Sequence, residues 1–208
     1  HGSVFLGRVP YPGDIPVPGD YVGDAADEIA VFRPWTGTWY IRQRSTGQPW
    51  TPAYSTSLLG KVGDLPVPAD WDGDGKVELG VFRQETGVAV WHFSEVDGTL
   101  LPSVTFGQLG DLPLQGHFVG TIGADQVVYR KATGTWHRRD GLTGAVTAVT
   151  QNAIGQPVPL DYNGDGRLEL VLFDEATGTW AIVDPSGATN VSLTVPFGAV
   201  GDIPAGTR

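Results

Sequence analysis

The chain of 208 residues contains no cysteine, which removes disulfides, thiol catalysis and cysteine-based zinc sites together but does not fix the compartment. Basic side chains are scarce: 13 Lys and Arg stand against 23 Asp and Glu, for a formal net charge of −10 and a pI near 4.6. Such a surface repels phosphate backbones and anionic lipid, so no nucleic-acid partner is expected. The sequence also lacks an unbroken apolar run of the roughly 18 residues that a spanning helix needs, so no membrane insertion is expected. Nor does it open with the basic-then-apolar order of a retained signal peptide. Instead it opens with His1-Gly2-Ser3, which reads as the remnant of an affinity tag and linker (residues 1–3). A copper-ligating N-terminal histidine is the alternative, but nothing downstream is arranged to complete that site.

What is abundant is glycine, 30 residues, and proline, 16, within a chain that is 40% hydrophobic and 17% charged. That composition suits a packed core built from short strands and tight turns. Self-comparison exposes the plan. A Gly-Asp-x-Pro turn recurs at Gly13-Asp14-Ile15-Pro16, Gly63-Asp64-Leu65-Pro66, Gly110-Asp111-Leu112-Pro113 and Gly201-Asp202-Ile203-Pro204, with a decayed copy at Gly155-Gln156-Pro157. The glycines step by 50, 47, 45 and 46 residues. Behind each of the first four turns come an extended stretch, a loop, an apolar run, a Thr-Gly turn and an aromatic strand, giving four repeats at about 13–62, 63–109, 110–154 and 155–200.

Short alternating runs such as Val88-Ala89-Val90-Trp91-His92-Phe93 imply strands of five to seven residues. The prolines forbid a central helix, and no window sustains helical apolar spacing, so the fold class is all-β. A period of about 45 residues with about four strands matches one propeller blade, each a four-stranded antiparallel sheet. The expectation is a single β-propeller domain over residues 4–208, or a propeller arc, of about four blades plus end strands. The recurring Trp39, Trp91, Trp136 and Trp180 are expected in the core, packing between blades, rather than as ligand platforms. Val4-Phe5-Leu6-Gly7 adds a fifth copy of the strand seen in Val104-Thr105-Phe106-Gly107 and Val195-Pro196-Phe197-Gly198. The ends therefore close a ring by capping an edge or leave an arc, and an open arc could pair as a homo-oligomer.

The strongest chemical signal is an acidic loop after the Val-Pro stretch. The second repeat reads Asp70-Trp71-Asp72-Gly73-Asp74-Gly75-Lys76-Val77-Glu78, and the fourth reads Asp161-Tyr162-Asn163-Gly164-Asp165-Gly166-Arg167-Leu168-Glu169. Oxygen side chains fall at loop positions 1, 3, 5 and 9. The backbone carbonyl at position 7, Lys76 or Arg167, can add another ligand, a set suited to a hard cation such as Ca²⁺. Gly75 and Gly166 permit the bend. An EF-hand would need Glu at position 12, where Val81 and Leu172 stand. Against the ion reading stands the simpler one, that Asp and Gly merely form Asx-turns; clustered carboxylates would then repel one another uncompensated. The first loop keeps Asp20, Asp24 and Glu28 but has Val22 and Ala25 at positions 3 and 6, and is expected to be a weak or degenerate metal loop. The third, His117 to Asp125, keeps only the last carboxylate and is expected to bind no metal.

Over Val4 to Pro204 these loops, the strands after them and the period resemble the FG-GAP repeats of integrin-α propellers and the related bacterial VCBS-type repeats. The resemblance implies a β-propeller with Ca²⁺ in the loop between the first two strands of a blade, in a secreted or extracellular protein. It implies no particular function.

No catalytic constellation emerges. His92, His117 and His137 occupy different repeat positions without metal-ligand spacing, and no nucleophile elbow, phosphate loop or zincin motif is present. The chain is therefore expected not to be an enzyme. Aromatics outside the repeated pattern, Trp35, Trp50 and Tyr54, could stack on a sugar or seat a protein partner; packing over a neighbouring turn is the competing reading. Asn190-Val191-Ser192 is a sequon only if the chain is eukaryotic and secreted. The expectation is a non-catalytic, calcium-stabilised extracellular module for adhesion or partner binding. The alternatives are a lectin-like propeller and an accessory domain of a secreted carbohydrate-active enzyme.

Overall fold

The computed structural model describes residues 13–43, 53–120, 122–151, 153–185 and 193–204, with the backbone alone at 43 and 53–56. Val4-Phe5-Leu6-Gly7, Trp50 and the sequon lie outside the described residues. The described chain forms four four-stranded antiparallel sheets and no helix, an arrangement consistent with propeller-like architecture. Sheet I holds β1 (Ile15–Pro16), β2 (Ile29–Arg33), β3 (Thr38–Gln43) and β4 (Ala53–Leu58). Sheet II holds β5 (Leu65–Pro66), β6 (Leu79–Gln84), β7 (Ala89–Ser94) and β8 (Leu100–Thr105). Sheet III holds β9 (Leu112–Gly116), β10 (Asp125–Arg130), β11 (Thr135–Arg139) and β12 (Val146–Thr150). Sheet IV holds β13 (Gln156–Pro157), β14 (Leu170–Asp174), β15 (Thr179–Val183) and β16 (Leu193–Pro196). Each strand pairs with its sequence neighbour. By contacts the chain divides between Leu109 and Gly110 into two compact units, one with sheets I and II and the other with sheets III and IV.

The first strands differ in length. β1, β5 and β13 span two residues each, and beyond them the Val17, Val67 and Val158 amides still donate to the Ala30, Gly80 and Val171 carbonyls at 2.9, 2.7 and 2.9 Å. The next residue, Pro18, Pro68 or Pro159, is tolerated there because the antiparallel alternation turns its nitrogen away from the neighbouring strand. In sheet III that position is Gln115, and β9 runs five residues in register against β10.

The two middle strands carry the core. Phe32 faces Trp39, Phe82 faces Trp91, Tyr129 faces Trp136 and Phe173 faces Trp180 across the ladder, with ring centroids 5.0, 5.1, 4.7 and 4.7 Å apart. In sheet II each strand is one residue longer before the turn, so Trp91 keeps the register although it comes two positions later. Each indole N–H reaches across to close the sheet's outer edge. Trp39 donates to the Leu59 carbonyl, Trp91 to Phe106, Trp136 to the Gln151 side chain and Trp180 to Phe197, at 2.7–2.9 Å. Trp39, Trp91 and Trp136 are fully buried, as expected of core residues. Trp180 is only half-buried because its surroundings in sheet IV are open: Tyr162 and Phe197 are 54% and 76% exposed, whereas their counterparts Tyr21 and Leu59 are 3% and 7%.

Within each unit the loop of one sheet is bolted to the preceding loop. The Val77 amide donates to the Asp20 carbonyl at 2.8 Å, and the Leu168 amide donates to the His117 carbonyl at 2.7 Å. Gly19 and Gly116 leave the room that the Val77 and Leu168 side chains fill.

Candidate metal centre

The loop between the first two strands is closed at its base in the same way in all four sheets, by backbone pairing of Gly19 with Glu28, Ala69 with Glu78, Gly116 with Asp125 and Leu160 with Glu169. The position-1 aspartate organises the turn. Asp70 accepts the amides of Gly73 at 2.6 Å and Gly75 at 3.1 Å, and Asp20 and Asp161 do the same in their loops. Gly75 and Gly166 take φ of 90° and 85°, as the bend requires; in the first loop Ala25 is forced to φ 64°, a conformation unfavourable to a side chain with Cβ. The position-9 acid then plugs the loop from beneath. One oxygen of Glu28, Glu78, Glu169 and Asp125 accepts the amide of Tyr21, Trp71, Tyr162 and Phe118 respectively, at 2.6–3.1 Å.

The second oxygen of that acid separates the four loops. In the third it accepts from the Arg138 guanidinium at 3.0 Å, a side chain rooted in β11 where the other sheets carry Ile41, Phe93 and Ile182. In the fourth, Glu169 Oε1 accepts from the Asn163 amide at 2.8 Å, so that loop closes on itself. In the first and second loops Glu28 Oε1 and Glu78 Oε1 are buried without any hydrogen-bond partner. A buried, unpaired carboxylate oxygen is unfavourable unless a cation faces it or it holds a proton; the third sheet shows that place filled by a fixed positive charge.

Only in the second loop do the acids converge. Oxygens of Asp70, Asp72, Asp74 and Glu78 all lie within 4.8 Å of one another, the one such group of three or more ligating side chains among the described residues. The set could hold a metal ion, and its chemistry fits a hard one, since every donor is a carboxylate oxygen. Asp72 and Asp74 are exposed, Asp70 is half-buried and Glu78 is 1% exposed, so an ion would enter from solvent and meet a buried acid at the base. Burial pushes the Glu78 carboxyl up to about 8, against the pull of the Trp71 amide, with the charges of Asp72 and Asp70 adding to the rise. Asp74 is held below the usual carboxylate range by Lys76, whose ammonium lies 2.8 Å away.

The side chains of the position-7 residues lie at the loops as well. Lys76 brings its ammonium to the cluster, and Arg167 sits with Asp165 and His117 around a small cleft of about 290 Å³. In the fourth loop Asp161, Asp165 and Glu169 do not converge as the second-loop acids do, nor do Asp20, Asp24 and Glu28 in the first. Of the surface aromatics, Trp35 is 44% exposed with the Arg33 guanidinium 5.5 Å from its ring centre; Tyr54 is described only as backbone in β4.

Sequence reasoning missed the partners of the Gly-Asp turns. Arg33, Arg83 and Arg130 each form a two-pronged pair with the aspartate 19 residues earlier, Asp14, Asp64 and Asp111, at 2.8–2.9 Å. The signal was present: the three repeats that keep this arginine keep the aspartate, and the fourth has lost both. A second omission is a relay-like chain, Asp64–Arg83–His92–Ser103. Arg83 only donates, so His92 Nε2 accepts at 3.1 Å and Nδ1 carries the proton that faces Ser103 Oγ at 2.9 Å. A histidine so disposed cannot take the serine proton. Comparison with protein-family models, with curated proteins and with solved structures finds no match.

Proposed function

We propose that the chain is a calcium-stabilised, non-catalytic binding module, its four sheets the blades of a β-propeller or propeller arc of the FG-GAP and VCBS type, working outside the cell. The observation that carries this reading is the second loop: four convergent carboxylates over one buried oxygen without a partner. Asp70, Asp72, Asp74 and Glu78 hold the ion, which supplies the charge that lets Glu78 stay ionised and so fixes the loop. The ligands give no purchase for chemistry, because they are spent on the ion, and the hydrogen-bonding of His92 supports the non-catalytic part of the reading.

The test is thermal melting in calcium and in chelator. At free Ca²⁺ a hundred times its dissociation constant, binding to the folded state adds about 2.7 kcal/mol. Asp72→Ala removes that gain, and Val119→Ala in the third loop leaves it intact; equal melting in calcium and chelator refutes the reading. A lectin-like reading rests on Trp35, which is 44% exposed and offers an apolar face on which a sugar could stack. A glycan-array signal lost in Trp35→Ala would favour it over protein adhesion.

A further inference from the structure

The peptide that joins the acids of the second loop to the strand after them also holds sheet II to sheet I. Three consecutive amides there have three different partners. Lys76 donates to Asp74 Oδ1 at 2.8 Å, Val77 to the Asp20 carbonyl of the first loop at 2.8 Å, and Glu78 to the Ala69 carbonyl at the base of its own loop at 2.9 Å. The amide that crosses to sheet I therefore lies between one accepted by an acid of the cluster and one that belongs to an acid of the cluster. Side chains reinforce the crossing. Val77 fills the room left by Gly19, where a Cβ would lie 3.1 Å from Val77 Cγ2, and the Lys76 stem passes over Gly23, where a Cβ would lie 2.9 Å from Lys76 Cγ.

Sheet IV makes the same three bonds toward sheet III. Arg167 donates to Asp165 Oδ1 at 2.9 Å, Leu168 to the His117 carbonyl at 2.7 Å and Glu169 to the Leu160 carbonyl at 2.9 Å. The two junctions differ in what compensates the acid at the base. Glu169 Oε1 accepts the Asn163 amide, so the fourth loop is complete from its own side chains. Glu78 Oε1 is buried with no partner, and oxygens of Asp70, Asp72 and Asp74 crowd within 4.8 Å of one another and of Glu78.

We propose, on the reading of Asp70, Asp72, Asp74 and Glu78 as a calcium site, that occupancy of the second loop closes the junction between sheets I and II through Lys76 and Val77, and that the junction between sheets III and IV needs no ion. With the acids drawn together, the backbone from Asp74 to Glu78 is fixed and the Val77 amide stays on Asp20. Without a cation the carboxylates repel one another, the loop spreads, and the bond to sheet I opens before the sheets themselves do. Coupling of this kind is reciprocal, so whatever disturbs the seat of Val77 in sheet I weakens the hold on the ion in sheet II.

The test joins calcium titration by isothermal calorimetry to amide hydrogen exchange followed by NMR, both on the full chain. In saturating calcium the Val77 amide should exchange at least tenfold more slowly than in chelator, and the Leu168 amide less than threefold more slowly. Gly19→Ala sets a methyl group against Val77 from the other sheet, its nearest neighbours all being atoms of Val77, and should weaken calcium binding at least threefold. Val77→Ala empties the same seat and should do likewise, whereas Leu168→Ala should leave the affinity unchanged. If calorimetry finds no binding, the calcium reading fails and the coupling falls with it. If calcium binds but Val77 exchange does not change, if Leu168 is slowed as much as Val77, or if Gly19→Ala and Val77→Ala both bind calcium as wild type does, the calcium reading stands and the coupling is overturned.

Discussion

Replacing Glu78 by glutamine should stabilise the protein without metal and abolish its response to metal. In chelator the folded chain holds a proton on Glu78 up to about pH 8, whereas the unfolded chain releases it near the ordinary value of 4.5. Folding therefore takes up a proton between these values, and stability falls as pH rises through that window. At pH 7.5 the full penalty would be about 4 kcal/mol, at 1.36 kcal/mol for each tenfold change. Asp72 and Asp74 are exposed, however, and solvent around them screens the site, so about half, roughly 2 kcal/mol, is the better figure. Glutamine escapes the penalty. Its oxygen can still accept the Trp71 amide, and its NH₂ faces the aspartates as a donor. Calorimetric melting in chelator at pH 7.5 should thus place the Glu78→Gln transition about 4–8 °C above wild type, with the gap closing toward pH 5. In saturating calcium the order should reverse, because only wild type gains the ion. If the gap in chelator does not change between pH 5 and 8, or the variant gains as much from calcium as wild type, the reasoning about Glu78 is wrong.

Arg138→Leu should strand the buried Asp125, whose side chain is 2% exposed, and lower stability by about 3 kcal/mol as measured in urea. Its calcium response should stay that of wild type. Gly37→Ala should destabilise sheet I by more than about 2 kcal/mol, since the new Cβ would lie 2.2 Å from the Gly60 oxygen at a φ of 65°; a melting point within a degree of wild type would contradict that geometry.

Much of the fold was legible because the repeat forces each residue type to do one job four times. Val-Pro pairs mark the first strands, Thr-Gly turns fix the hairpins, and the tryptophans fall in register against Phe32, Phe82, Tyr129 and Phe173. Loop spacing likewise pointed to the second-loop acids. It could not show that Asn163 would turn its amide onto Glu169, because a sequence gives an asparagine's two ends no orientation. It could not show that Arg138 would reach the third loop either, since the two lie 13 residues apart from Asp125 to Arg138 and meet only across the β10–β11 ladder. The division into two compact units leaves no mark in the repeat period, since every repeat boundary looks alike in sequence.

Calcium titration of the chelator-treated chain by isothermal calorimetry, repeated with Asp72→Ala and Asp165→Ala, tests the central claim most directly. The account predicts a saturable heat that disappears with Asp72→Ala and survives Asp165→Ala, because the acids converge in the second loop and not in the fourth. No heat in the wild-type chain, or a heat that Asp72→Ala leaves unchanged, would contradict it.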